Sequence, residues 1–286
     1  MLVKSINYWS FPGGLDGNLD PIEAAKMAKE AGFEAIELCI GDAGTALGID
    51  ATDARVSEIR GAVEAMGLSV PSTASGLYWG RALGDSDAGA RKQAQEDLRQ
   101  MIRISAGLGA KTHLTIPGAV EVFFLPDRPV QPYDEVYRYA VEGLKAVLPT
   151  AAEHRVRLGI ENVWNRFLLS PMEMAAFIDS FQSEWIGAYV DVANILPYGF
   201  PEQWLRVLGK RVVGVHFKDF RRAVGTIEGF VDLLEGDVDW PAVTAALAEI
   251  GYDGPVAGEM IPYYRHFPLV RVANTSRAMD AILGRG

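Results

Sequence analysis

Cysteine is almost missing from this chain. The one present, Cys39, cannot form an intramolecular disulfide, so nothing here fixes a redox compartment. Its setting, Glu37-Leu-Cys-Ile40, is that of a packed strand residue rather than a nucleophile. Positive charge is also scarce: 27 Lys and Arg face 37 Asp and Glu, a formal net charge of −10. Nucleic acid is therefore excluded as the main partner, because neutralising phosphates needs clustered cations. An anionic small molecule stays open where a few arginines gather. No apolar run approaches the roughly 18 residues of a membrane span. Met1-Leu-Val-Lys-Ser-Ile lacks a basic segment followed by a long apolar one, so the expectation is a soluble cytoplasmic protein with no membrane partner. Also lacking are a linker rich in Pro, Gly or Ser, a low-complexity tract, a Gly-rich phosphate loop and a Ser-His-Asp order. No Gly-x-Gly-x-x-Gly follows the first strand-like run, which weighs against a doubly wound dinucleotide fold.

What is there is ordinary globular chemistry in an ordered alternation. The chain is 286 residues long, 49% hydrophobic and 22% charged, enough for a large core. That length suits an eight-stranded β/α barrel folding as one domain over residues 1–286. Strand-type runs are expected at 2–9, 33–40, 68–74, 111–117, 156–163, 185–190, 212–217 and 255–260. Helical patterns lie between them. Asp20-Pro21, Thr52 and Ser170-Pro171 start helices, Gly67 and Gly109 end them, and Pro149 would kink or break the helix expected over 133–154. The pattern predicts an α/β fold, a single (β/α)8 TIM barrel. In such a barrel the site lies at the carboxyl ends of the strands, and the loops after strands one, four, six and seven are the longest or most aromatic.

Four of these runs end in a metal-ligand residue type: Leu158-Gly-Ile-Glu161, Ala188-Tyr-Val-Asp191, Val213-Gly-Val-His216 and Val256-Ala-Gly-Glu259. One acidic residue at a strand end is ordinarily a cap or a solvated loop residue. Four on consecutive staves would aim into one mouth. Three carboxylates and an imidazole suit a hard or borderline divalent ion, Mn²⁺, Mg²⁺ or Co²⁺, and the ion would offset their repulsion.

Gly159-Ile-Glu161-Asn162, Val190-Asp191-Val-Ala-Asn194, Val215-His216-Phe-Lys218-Asp219, the Glu235–Trp240 segment and Gly258-Glu259-Met resemble the sugar isomerase/epimerase superfamily with a xylose-isomerase-like barrel. Ketose 3-epimerases and L-ribulose- and L-xylulose-5-phosphate 3-epimerases look nearest. The resemblance implies Mn²⁺ or a similar ion at Glu161, Asp191, His216 and Glu259, with Glu161 and Glu259 also the acid/base pair. It implies epimerisation of a ketose or ketose phosphate at C3: one carboxylate removes the proton beside the carbonyl, the ion stabilises the enediolate, and the other carboxylate returns a proton to the opposite face. Arg222, six residues after His216, matches the spacing of a substrate-binding arginine in ketose 3-epimerases. Asn194 departs from the histidine of the free-ketose enzymes and matches the phosphopentulose enzymes, while Phe167 stands where the former place a second glutamate.

Arg166, Arg222, Arg265 and His266 form a phosphate pocket or are scattered surface charges. Tyr8, Trp9, Tyr78, Trp79 and Trp164 wall a sugar or pack in the core or at a homo-oligomer contact. Lys218 and Asp219 support His216 or pair with each other, and His113 lies too early in its strand for a site and is expected to be structural. Two rivals to an epimerase stand. One is a lyase or dehydratase on the same scaffold, resembling inosose dehydratases or 3-keto-sugar eliminases; the other is a non-catalytic sugar-binding barrel.

Overall fold

The computed structural model describes residues 2–285. In chain order its elements are β1 (Val3–Asn7), α1 (Pro21–Glu30), β2 (Ala35–Cys39), α2 (Asp53–Ala65), β3 (Ser72–Ala74), α3 (Ala88–Leu108), β4 (Thr112–Thr115), α4 (Tyr133–His154), β5 (Arg157–Glu161) and α5 (Pro171–Asp179). They continue with β6 (Ile186–Asp191), α6 (Val192–Ile195), α7 (Pro201–Leu208), β7 (Val212–Phe217), β8 (Asp219–Phe220), β9 (Phe230–Val231), α8 (Trp240–Glu249), β10 (Pro255–Gly258) and α9 (Pro268–Ile282). Strands β1 to β7 and β10 close into a parallel barrel in the order β1-β10-β7-β6-β5-β4-β3-β2. This is the (β/α)8 arrangement the alternation predicted.

Local chemistry starts several of the helices. Asp20 accepts from Ile22 N, Thr52 from Arg55 N, Asp87 from Ala90 N and Ser170 from Glu173 N, each satisfying a donor that the first turn leaves free. Two expectations need correction, and one connection carries a sheet of its own. Pro149 lies inside α4 without ending it; both it and Lys145, the residue four before, are exposed, so the carbonyl it frees faces water. The third strand begins only at Ser72, because Pro71 has no N–H to give a ladder. The connection over 221–238 is not featureless: Asp219–Phe220 pairs antiparallel with Phe230–Val231 as a small second sheet.

Side-chain direction alternates along each strand, so the barrel interior is built in layers. Glu161 pairs with Tyr189, Tyr189 with Gly214, and Asp191 with His216 in the β5–β6–β7 register. One layer therefore holds Gly159, Tyr189 and Gly214, and the next, toward the carboxyl ends, holds Glu161, Asp191, His216 and Glu259. The Tyr189 ring needs the two glycines. A Cβ on Gly214 would sit 2.3 Å from its Cε2, and one on Gly159 would sit 3.0 Å from its Cδ2. The buried ring then reaches across the barrel and donates its hydroxyl to Glu37 on β2.

No helix among the described residues is long and apolar enough to cross a membrane. A pair of glycine substitutions tests the packing account. Gly214→Ala must displace Tyr189 and is expected to cost about 1–3 kcal/mol, read as a lower midpoint in chemical denaturation. Gly61→Ala, in exposed α2 with open space around it, should gain about 0.5–1 kcal/mol. Equal effects from the two would refute it.

Candidate functional site

Each carboxyl-end residue is fixed by its own strand and by the next stave. Asp191 ends β6 and caps the short turn α6: its Oδ1 accepts from Ala193 N at 2.9 Å and Asn194 N at 3.0 Å. Asn162, just after β5, clamps the same residue by donating to Asp191 O at 2.8 Å and accepting from Asp191 N at 2.9 Å. That leaves Asp191 Oδ2 buried without a hydrogen bond. His216 Nε2 lies 2.6 Å from Glu37 Oε1, while its Nδ1 is buried with no partner. Donation from Nε2–H to the carboxylate puts the lone pair on Nδ1, toward Asp191, Glu161 and Glu259. Glu161 Oε1 and Glu259 Oε1 each stand 3.8 Å from that nitrogen.

One ligand-type atom from each of Glu161, Asp191 and His216 falls within 4.8 Å of the others. Glu259 adjoins this trio but is engaged by Lys218, whose ammonium also stands 3.3 Å from Asp191 Oδ2. Asp191 Oδ2 and His216 Nδ1, both buried without a hydrogen bond, stand beside two further carboxylates, a donor set that suits a divalent cation.

The electrostatics separate the two glutamates. Burial, together with Glu259 and Asp191, pushes Glu161 up to about 7 against the opposing pull of His216. Burial acts on Glu259 in the same sense, but Lys218 and His216 outweigh it and hold its carboxyl below the usual range. Burial works against His216 carrying charge, yet Glu37 and Glu259 raise its pKa well above normal, so the ring favours a proton on both nitrogens and presents the Nδ1 lone pair only where a cation takes that proton's place. For Glu37 burial is likewise outweighed, by the charge and hydrogen bond of His216 and by donation from Ser72 and Tyr189, and its pKa falls to about 2.

Above the cluster lies a cavity of about 540 Å³. Glu161, Glu259, Lys218 and Asn194 lie in its lining, together with aliphatic side chains and the rings of Trp9, Trp79, Phe123, Phe124, Trp164 and Phe230. These rings come from loops after β1, β3, β4, β5 and β7, so the loops after the third and fifth strands matter as much as those first singled out. The loop after β6 contributes Asn194 alone. Trp164 donates its indole N–H to Asn194 O at 2.9 Å, and Asn194 Nδ2 donates to Asn162 O at 3.1 Å.

Several residues expected at the site are not brought to it. Tyr8 is buried and donates to Leu19 O, lining an adjoining 250 Å³ pocket with Cys39 and Asp42 rather than the cavity itself. Arg222 is exposed, its guanidinium 4.8 Å from the Phe200 ring centre and donating to Gly199 O at 3.3 Å. Arg166 takes a φ of +54° that turns it outward to pair with Glu121. Arg265 and His266 are exposed and outside the lining, so the four cationic side chains do not gather into one pocket. Phe167 packs in the outer core against Tyr133, Tyr137 and Phe177. His113 is enclosed between Thr73 Oγ1 and Tyr78 OH, each at 2.8 Å, and burial drops its pKa to about 3, leaving it neutral.

Two residues carry more than the motifs suggested. Glu37, the orienter of His216, also accepts from Asn7 at 2.7 Å and Ser72 at 2.6 Å. Its signal was visible: an acid in mid-strand between Ile36 and Leu38 must find a buried partner. Asp219 does not pair with Lys218. It accepts from Phe220 N, Leu234 N, Val238 N and Trp240 Nε1 at 2.9–3.2 Å, tying down both ends of the loop that carries Phe230. Gly236 is required there, since a Cβ would lie 2.0 Å from Asp219 Oδ1.

A closed parallel barrel with a buried Glu-Asp-His cluster at its carboxyl end is the framework of a β/α-barrel enzyme. The chain belongs to the xylose isomerase-like TIM barrel family, whose model matches residues 25–281. It is 25% identical over 265 residues to SgbU of Escherichia coli K12, a protein named as a proposed L-ribulose-5-phosphate 3-epimerase, covering 91% of this chain and 90% of the relative. Among solved structures, an L-ribulose 3-epimerase superposes with a TM-score of 0.79 at 19% identity, covering 100% of this chain and 95% of the other. The IOLI protein with a bound zinc atom gives 0.78 at 16% identity, over 99% of each chain. The 3-epimerases among these belong to the isomerase class.

Asp219→Asn is expected to loosen the 221–238 loop. Limited proteolysis should then cut within it at least several-fold faster than in the unchanged protein, with barrel circular dichroism retained; an unchanged cleavage rate would show that the anchor is dispensable.

Proposed function

We propose that the protein, acting as one domain, is a divalent-metal-dependent sugar epimerase that inverts a ketose or ketose phosphate at C3. The observation that carries this reading is the pair Glu161 and Glu259, both buried, each 3.8 Å from His216 Nδ1, both lining an aromatic cavity and shifted in opposite directions. Two carboxyls whose surroundings push them apart are the arrangement general acid/base chemistry needs.

A divalent ion held by Glu161, Asp191, His216 and Glu259, Mn²⁺ in the first place, supplies positive charge where proton loss beside a carbonyl builds negative charge. This chain's own residues do the rest. One glutamate takes the C3 proton and the second delivers a proton from the other side, so the configuration inverts. Glu37 holds His216 in the tautomer whose Nδ1 is free. Lys218 tempers the charge of Glu259 and Asp191. Asn194 and the tryptophan rings orient the sugar and exclude water.

Two measurements test the reading. The manganese-loaded protein should exchange the C3 hydrogen of a ketose for deuterium from D₂O and return an epimer of unchanged mass. Glu161→Gln and Glu259→Gln should each lower that exchange about 10²–10⁴-fold while ketose binding persists. A product lighter by one water would identify a lyase instead, and undiminished exchange in either variant would remove that glutamate from the mechanism.

Glu37→Gln keeps the shape but loses the charge facing His216. Manganese affinity, measured by competition with a chelating dye, is expected to fall about 10–100-fold with the fold intact. Unaltered affinity would refute the positioning role.

A further inference from the structure

The cavity divides into two unlike halves. Its floor holds Glu161, Glu259, Lys218 and Asn194; its upper part is aromatic and aliphatic, with Glu228 the one charged side chain away from the floor. No arginine lines it. The usual phosphate seat of a β/α barrel, the loops after the seventh and eighth barrel strands, here presents Ile227, Glu228 and Phe230 after β7 and Ile261 and Pro262 after β10. Two nearby guanidinium groups are already committed, Arg128 to Asp85 and Trp79 O and Arg271 to Asp232 and Pro262 O, while Arg265 is exposed outside the lining. The turn α6 offers no anion site either, because Asp191 Oδ1 takes its free N–H groups.

A phosphate dianion in the upper half would shed water without gaining a cation or a free donor, and would meet the Glu228 carboxylate. An apolar ring would instead be enclosed by Trp79, Phe123 and Phe124. Trp79 and Phe124 already stand edge to face, with ring centres 5.1 Å apart. Size points the same way. At about 30 Å³ per water, 540 Å³ corresponds to roughly 18 waters, more room than the twelve non-hydrogen atoms of a hexose need.

We infer that the substrate is an unphosphorylated keto-sugar carrying an apolar substituent, its sugar ring on the glutamate floor and its substituent among Trp79, Phe123 and Phe124. This rests on the epimerase reading for which end of the ligand faces Glu161 and Glu259.

Calorimetric titration of the manganese-loaded protein with three probes decides it: L-ribulose, L-ribulose 5-phosphate and 5-O-benzyl-L-ribulose, each with a hydrogen on C3 beside the C2 carbonyl. The benzyl ether should bind at least tenfold tighter than L-ribulose, and the phosphate more weakly than either. Phe124→Ala, an exposed position whose loss leaves the core intact, should cost the benzyl ether about tenfold and L-ribulose less than twofold. Binding of the phosphate as tightly as L-ribulose, or a benzyl ether no better than L-ribulose, overturns the inference. Deuterium exchange in the same samples keeps the two claims apart. Exchange without this affinity order sinks the substrate assignment alone, whereas the affinity order without exchange on any probe sinks the epimerase reading.

Discussion

The hydrogen bond between Glu37 and His216 is the contact on which the rest of the barrel mouth depends. A buried carboxylate and a buried imidazole are each costly alone, and at 2.6 Å they offset one another. That pairing decides which imidazole nitrogen keeps its proton and which presents a lone pair to Glu161, Asp191 and Glu259. It also explains features remote from the site. Tyr189 must cross the barrel to donate to Glu37, which is why glycine stands at 159 and 214 on the flanking strands. Ser72 and Asn7 complete the carboxylate's partners from β3 and β1, so three staves besides β7 hold one acid in place.

The wall of the cavity obeys a different constraint. Its rings stand on loops, which have no ladder to fix them, and each loop is therefore secured by polar side chains at its base. Asp219 gathers four donors for the loop after β7. Asn165 does similar work after β5: it donates to Gly118 O, accepts from Phe167 N, and its carbonyl receives Val120 N. The apolar surface of the cavity is thus held by hydrogen bonds at the bases of its loops.

Much of this could be read from the chain. Period, helix caps and glycine stops located the alternation, because those signals act within a few residues. Glu161, Asp191, His216 and Glu259 were legible because each ends an apolar run. Glu37 lay in the same kind of run but was passed over, since its partner is 179 residues away and only barrel closure brings them together. The arginines were misplaced for a related reason. Spacing along the chain put Arg222 and Arg166 near the site, but side-chain direction is set by local backbone, and the positive φ at Arg166 turns it to Glu121. Lys218 and Asp219 are neighbours in sequence yet act on opposite sides of the strand end, one toward the carboxylates and the other toward the loop.

Trp164 forms part of the cavity wall, and its indole N–H is bonded to the carbonyl of Asn194, within the very turn that Asp191 caps. Wall and floor are consequently a single mechanical piece. A molecule that pushed this ring aside would pull on the backbone that aims the Asp191 carboxylate, so occupancy at the top of the barrel is felt, through one hydrogen bond, by the atoms at the bottom.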